Sequence, residues 1–266
     1  MLGIGGGLTY TNYSEGGPAI QESKYSISFP TDTAYLDTGN TYQSTFRDSF
    51  TISFWGKMLF ANNDEQLSFF GGVVEGSNKD SVLLFHNRSQ GDKFRFSLEG
   101  DNNDQVITQT DAAVFDTLDV WKHITVTVTK NSGANTGVLI YVNGSVVAST
   151  NLATLSETNH GNYTSTKNFY IGGKNNNGTH TTDDSLVGNL DEFAIWDVAL
   201  DAPAVAAVYN SGAIFDLTGA SGNYDNEGDL VGYWRMNEGS GTTAIDTGGS
   251  NDATLTGGAI YSNDNV

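Results

Sequence analysis

Hydrolysis of a glycosidic bond needs two carboxylates facing the same sugar from one surface, and this chain offers few pairs that meet the demand. Asp191 and Glu192 are adjacent, so in a regular strand they point to opposite faces. Glu99 and Asp101 have the alternate spacing that shares a face, but Gly100, Asn102 and Asn103 make that stretch read as a turn. His86, His123, His160 and His180 are scattered, with no H-E-x-x-H pair, and no G-x-S-x-G elbow supplies a nucleophile. Cysteine is absent, which excludes a disulfide framework and a thiolate zinc site. On these residues the chain reads as non-catalytic.

Binding chemistry is better represented. Residues 174–185, KNNNGTHTTDDS, gather amides, hydroxyls, an imidazole and two carboxylates. Asn175, Asn176, Asn177, His180, Asp183 and Asp184 are candidate ligand-binding residues, because such groups match the donors and acceptors of sugar hydroxyls. The same composition suits a solvated loop. The acidic stretches 99–104 (EGDNND) and 225–229 (DNEGD) lack the D-x-(D/N)-x-(D/N)-G spacing of a calcium loop.

The elements that must position these residues are strands. Tyr25, Ile27 and Phe29 alternate, as do Phe50, Ile52 and Phe54, then Phe94, Phe96 and Leu98, then Ile124, Val126 and Val128. Asn143-Gly144 is a type I′ hairpin signal. The stretch 185–212 is the organising one. Regular alternation puts Asp191, Phe193 and Ile195 on one face and Leu190, Glu192, Ala194 and Trp196 on the other, so both faces carry large apolar groups, as in a strand buried between layers. Asp201 as N-cap, Pro203 in a first turn and Gly212 as a stop then predict one short helix near 201–210.

Glycine is abundant at 32 residues and proline scarce at 3, which suits many strands joined by tight turns. With 12 basic and 31 acidic side chains the net charge is −19. Such a surface repels phosphate backbones and anionic membranes, so no nucleic acid and no membrane insertion are expected. Residues 1–24 are glycine-rich without a sustained period and read as an arm or linker; the first ten resemble neither a signal peptide nor a membrane span.

Four motifs in order carry a family resemblance: SFTISFWGK at 49–57, WKHITVTVTKNSGANTGVLIYVNGSVVAST at 121–150, FYIGG at 169–173 and GNLDEFAIWDVAL from Gly188. Together they resemble laminin-G-like domains of the concanavalin A-like lectin/glucanase superfamily, over residues 25–212. The resemblance implies an all-β antiparallel jelly-roll sandwich hosting glycan or host-surface recognition, a plain structural role or glycoside hydrolysis. It also implies a structural calcium ion, held by the aspartate of the closing strand, Asp191, and by an early loop whose nearest match is LDTGN, through Asp37 and the Gly39 carbonyl.

Residues 213–266 form an expected C-terminal extension. Its LVGYWRMNEGSGTTAI segment resembles one that precedes the first core strand in many relatives, so it either completes its own sandwich or pairs with a neighbouring copy. A laminin-G-like domain followed by such a segment resembles phage structural proteins. The expectation is therefore a non-catalytic virion-surface protein, made in a host cytoplasm, that is homo-oligomeric and contacts glycans and other virion proteins; an extracellular location is the alternative.

Overall fold

The computed structural model describes residues 22–59, 66–74, 80–100, 104–130, 135–182 and 185–266. Its strands are β1 (Ser26–Phe29), β2 (Tyr35–Asp37), β3 (Phe50–Met58), β4 (Gln66–Val74), β5 (Asp80–Asn87), β6 (Lys93–Gly100), β7 (Asp104–Thr110), β8 (Lys122–Thr129), β9 (Gly137–Val142) and β10 (Ser145–Val146). They continue as β11 (Ser149–Ala153), β12 (Tyr170–Ile171), β13 (Asn175–Asn176), β14 (Thr179–His180), β15 (Gly188–Trp196), β16 (Leu230–Trp234), β17 (Thr243–Ala244), β18 (Ala253–Thr256) and β19 (Ile260–Ser262). The first sheet runs β10-β9-β8-β3-β15-β1-β19, with β16 also on β15; the second runs β11-β7-β6-β5-β4-β12-β2-β18-β17, with the β13–β14 hairpin against β4. All named pairs are antiparallel except β13 with β4. The expected all-β antiparallel sandwich is what forms.

The alternating apolar residues close the space between the sheets. Phe54 and Phe193 from the first sheet stack at 5.5 Å, and Phe54 meets Phe69 of the second at 5.6 Å. These aromatics are core, as their alternation requires. The outer face of the first sheet carries a second apolar cluster, in which Trp196, Val205, Phe215, Tyr224 and Tyr233 pack together. Trp196 donates its indole N–H to Tyr224 Oη, which donates in turn to the Leu217 carbonyl. That layer explains why both faces of β15 are apolar.

The helix over Ala202–Tyr209 starts as the sequence requires, with the Asp201 carboxylate accepting from Ala204 N–H at 2.8 Å. It ends earlier than Gly212: Asn210 takes the left-handed conformation at φ 47°, which an asparagine tolerates. At Asn143-Gly144 both φ values are positive, 49° and 72°, and the I′ hairpin forms.

Strands from residues 213–266 join both sheets. β16 pairs with the second half of β15, β19 with β1, and β18 with β2, so the C-terminal segment contributes to both sheets. Of the expected N-terminal arm, residues 1–21 lie outside the described residues. Residues Ser23 and Lys24 are tied into the fold: Ser23 bonds Asp191, and Lys24 N–H donates to Asn237.

Gly188 shows why the central strand begins with glycine, since a Cβ there would stand 2.0 Å from the Lys57 carbonyl of β3. Gly188→Ala is expected to cost about 2 kcal/mol or more through forced strand separation, whereas Gly228→Ala, which meets nothing within 4 Å, should stay within about 0.5 kcal/mol. Denaturant unfolding of both variants checks this.

Candidate functional site

Two clusters of polar chemistry stand on opposite outer faces of the sandwich. On the first sheet, the β15–β3 register shifts between Asp191 and Ala194, and Glu192 sits at φ 49°. This is a β-bulge. Leu190, Phe193 and Ile195 point into the inter-sheet core, while Ala194 and Trp196 join the outer cluster. Asp191 and Glu192 therefore share the outer face. Regular alternation had placed them on opposite faces and had put Leu190 opposite Phe193; the extra residue in the bulge overturns both expectations.

Both carboxylates are sealed, at 0% and 5% exposure. Asp191 Oδ2 accepts the Ser23 hydroxyl proton at 2.7 Å, Oδ1 accepts Glu192 N–H at 3.0 Å, and the backbone N–H of Val266 reaches the same carboxylate. Glu192 accepts from the Tyr233 hydroxyl and lies 3.5 Å from Arg235 Nε. A cleft of about 10 Å³ beside Glu192, bordered by Ser53, Trp55, His123 and Phe215, has room for about one water. Burial raises the pKa of Asp191 well above the carboxylate range, and the Glu192 charge raises it further. Burial likewise raises Glu192 to about 7, against the pull of Arg235. Burial lowers His123 to about 3, so it is a neutral imidazole, with Nε2 at 2.9 Å from Ser53 Oγ. A sugar has no path to this pair.

The calcium ligands expected from the resemblance are not brought together. Leu36 points into the core, so Asp37 faces outward from the second sheet. Asp191 faces outward from the first, and the sheet pair, about 10 Å thick, stands between the two carboxylates. Asp37 Oδ1 instead accepts from Gly39 N–H at 2.8 Å and from the Asn168 amide at 3.0 Å. Asp37, Gly39 and Asp191 do not fit one calcium ion. Among the described residues no group of three or more His, Cys, Asp or Glu is placed to hold a metal.

The outer face of the second sheet is built differently. Tyr35 alternates with core residue Leu36, and Tyr170 with core residues Phe169 and Ile171, so both rings face outward. They stack at 4.4 Å, and His180 stacks on Tyr35 at 4.2 Å, 12° from parallel. Ser185 Oγ donates to the Thr181 carbonyl at 2.8 Å, so at 2.9 Å from His180 Nε2 it accepts, which fixes the N–H on Nε2. Burial lowers the His180 pKa. Tyr170 is raised by burial and by the neighbouring Asp37 carboxylate.

Within the polar stretch, Asn175–His180 fold as a hairpin rather than an open loop. Asn177 and Gly178 have φ of 56° and 93°, the I′ turn that Asn-Gly favours. Asn175 is buried, donating to the Asn168 carbonyl at 3.0 Å and accepting Gly178 N–H at 2.7 Å. It holds the hairpin and is not open to a ligand. Asn176 is half-buried and Asn177 is exposed at the tip, while His180 joins the aromatic stack. Asp183 and Asp184 lie outside the described residues. Tyr35 and Tyr170 were not singled out from the sequence, although alternation about Leu36 and within FYIGG carries the signal.

Two antiparallel sheets closed over an aromatic core, with a polar aromatic cluster on one outer face, define a lectin-type β-sandwich. The chain belongs to the Concanavalin A-like lectin/glucanases superfamily, whose family model matches residues 30–206. No curated protein matches it significantly. Among solved structures it is similar to a Bacteroides ovatus protein described as a candidate carbohydrate binding protein (TM-score 0.57, 16% identity, 91% of this chain). This chain spans 60% of that protein's length. It is also similar to the CBM40 of the Ruminococcus gnavus IT-sialidase, solved with α2,3 sialyllactose (TM-score 0.53, 17% identity, 73% of this chain and 99% of that one). A third relative is the heptameric SAP-like pentraxin of Limulus polyphemus (TM-score 0.50, 14% identity, 91% and 96% covered). At these identities the likeness is one of fold.

A carboxyl whose pKa is raised on folding favours the folded state while it is protonated. That contribution is complete below the unfolded value and is lost as pH rises through the folded one. For Glu192, which rises from 4.5 to about 7, the loss is about 3 kcal/mol. Glu192→Gln should therefore gain in melting temperature relative to the unsubstituted protein between pH 5 and pH 8. A difference that does not change across that range would contradict the assignment.

Proposed function

We propose that this chain is a non-catalytic carbohydrate-recognition sandwich, with the outer face of the second sheet around Tyr35, Tyr170 and His180 as its platform. The observation that carries this reading is the stacked ring cluster, in which Tyr35 and His180 are partly exposed and Tyr170 is buried against them, set beside the Asp37–Asn168 pair and the amide-rich hairpin. Apolar ring surface with a few fixed polar groups is the usual make-up of a small-ligand site. The Bacteroides ovatus relative, described as a candidate carbohydrate binding protein, and the Ruminococcus gnavus CBM40, solved with α2,3 sialyllactose, support it.

Hydrolysis is not part of the proposal. The two carboxylates that share a face, Asp191 and Glu192, are adjacent and sealed, whereas a glycosidase keeps its pair open about 5 to 9.5 Å apart across the scissile bond. Calcium is not part of it either, because the expected ligands stand on opposite faces. Display on a virion surface extends the proposal; its support is the sequence resemblance and the acidic, cysteine-free composition, and co-purification of the chain with phage particles tests it.

On a broad glycan array the protein should bind a defined subset of sugars, equally in calcium and in chelator. Tyr35→Ala should weaken that binding at least about tenfold while circular dichroism shows the fold retained. Absence of binding to any glycan would overturn the recognition reading in favour of a structural decoration role.

A further inference from the structure

The same outer face carries a second prepared feature, on β5 to β7. Phe94 and Phe96 point into the core, so Arg95 between them faces outward beside Phe85 of β5 and Gln109 of β7, its register partners. Its guanidinium lies 5.8 Å from the centre of the Phe85 ring. Nε and Nη2 both donate to Gln109 Oε1, at 3.2 and 2.9 Å. Ring, guanidinium and amide thus form one cross-strand row.

Gln109 occupies only one edge of the guanidinium. The Nη1 group and the second Nη2 proton form the other edge, two parallel donors that bond no described residue. Three other cations are matched with acids, Lys57 with Asp119 and Asp264, Lys122 with Asp116 and Arg235 with Glu192, while Arg47 and Lys130 donate to backbone carbonyls. Arg95 pairs with no acid among the described residues, in a chain with 31 acids and 12 bases. Glu99, on the same face of β6, is four residues on, about 13 Å along the strand. A stacked, amide-held guanidinium has already given up much of its rotamer freedom, and its free edge matches a carboxylate bidentately.

We propose that Arg95 is an anion subsite of the platform and recognises the carboxylate of an acidic sugar, of the sialic or uronic acid type. The inference rests on the carbohydrate reading given above. From Arg95 to Tyr170 on β12 is three strand steps across the sheet, about 14 Å, and two residues along it, about 7 Å, so one oligosaccharide can reach from the aromatic stack to the guanidinium.

The test is an array carrying neutral glycans and their sialylated or uronate-containing counterparts, followed by titration of sialyllactose against lactose. The expected result is preference for the acidic member by about tenfold or more, weakened by salt. Arg95→Gln should erase the preference and leave neutral binding unchanged, and Arg95→Lys, which keeps the charge without the fork, should retain only part of it. Thermal melting of both variants confirms folding. Glycan binding without acidic preference, or with a preference that survives Arg95→Gln, overturns the anion subsite and leaves the carbohydrate reading standing. Binding to no glycan overturns both.

Discussion

The constraint on which the structure turns is the need to keep two adjacent carboxylates out of an aromatic core. In a regular strand, Glu192 would stand on the face of β15 that Leu190 and Phe193 occupy, among Phe54, Phe70 and Phe169. An ionised group there costs several kcal/mol even after relaxation. A glutamate held at positive φ costs roughly 1 to 3 kcal/mol. The bulge is the smaller penalty, and it sends Glu192 outward to the Tyr233 hydroxyl and the Arg235 guanidinium.

Everything around the centre of the first sheet follows from that slip. The first half of β15 pairs with β1 and the second half with β16, on the same edge. The two incoming chains meet at the bulge, where the Asn237 side chain accepts from Lys24 and Tyr25 N–H. Ser23 and Val266, from the two ends of the described chain, converge on Asp191. Nearby, Lys57 bonds the Asp264 carboxylate and Asn189 donates to Ser26 at 2.9 Å. The acid pair is a structural knot, which is why it is poorly suited to chemistry on a substrate.

The two outer faces divide the work. The first sheet is roofed by the helix over 202–209 and by residues 214–233, whose Phe215, Leu217 and Tyr224 bury Trp196. Among the described residues the second sheet has no such roof along its centre, and there the outward residues are rings and hydrogen-bonding groups: Tyr35, His180, Asp37 and Arg95, with Tyr170 buried in the same stack. A face that is apolar in its rings, polar at its margins and partly open is the one available to a ligand.

The sequence by itself determined the class of fold, because period-two burial is a local property: Phe50, Ile52, Phe54 and Ile124, Val126, Val128 reach the core as alternation demands. It also determined the Asp201 cap and the Asn143-Gly144 turn, whose chemistry lies within a few residues. The hairpin at Asn177-Gly178 was equally legible as a turn signal, but its two-residue strands are too short to show a period. Only the tertiary structure decided the rest. The bulge exists because of what faces β15 from the other sheet, and that is invisible in GNLDEFAIW. Asp37 and Asp191, 154 positions apart in sequence, fall on opposite faces because β2 and β15 are built into different sheets. Tyr35, Tyr170 and His180, like Phe85, Arg95 and Gln109, become neighbours only across paired strands, since register, unlike periodicity, is fixed by the whole sheet.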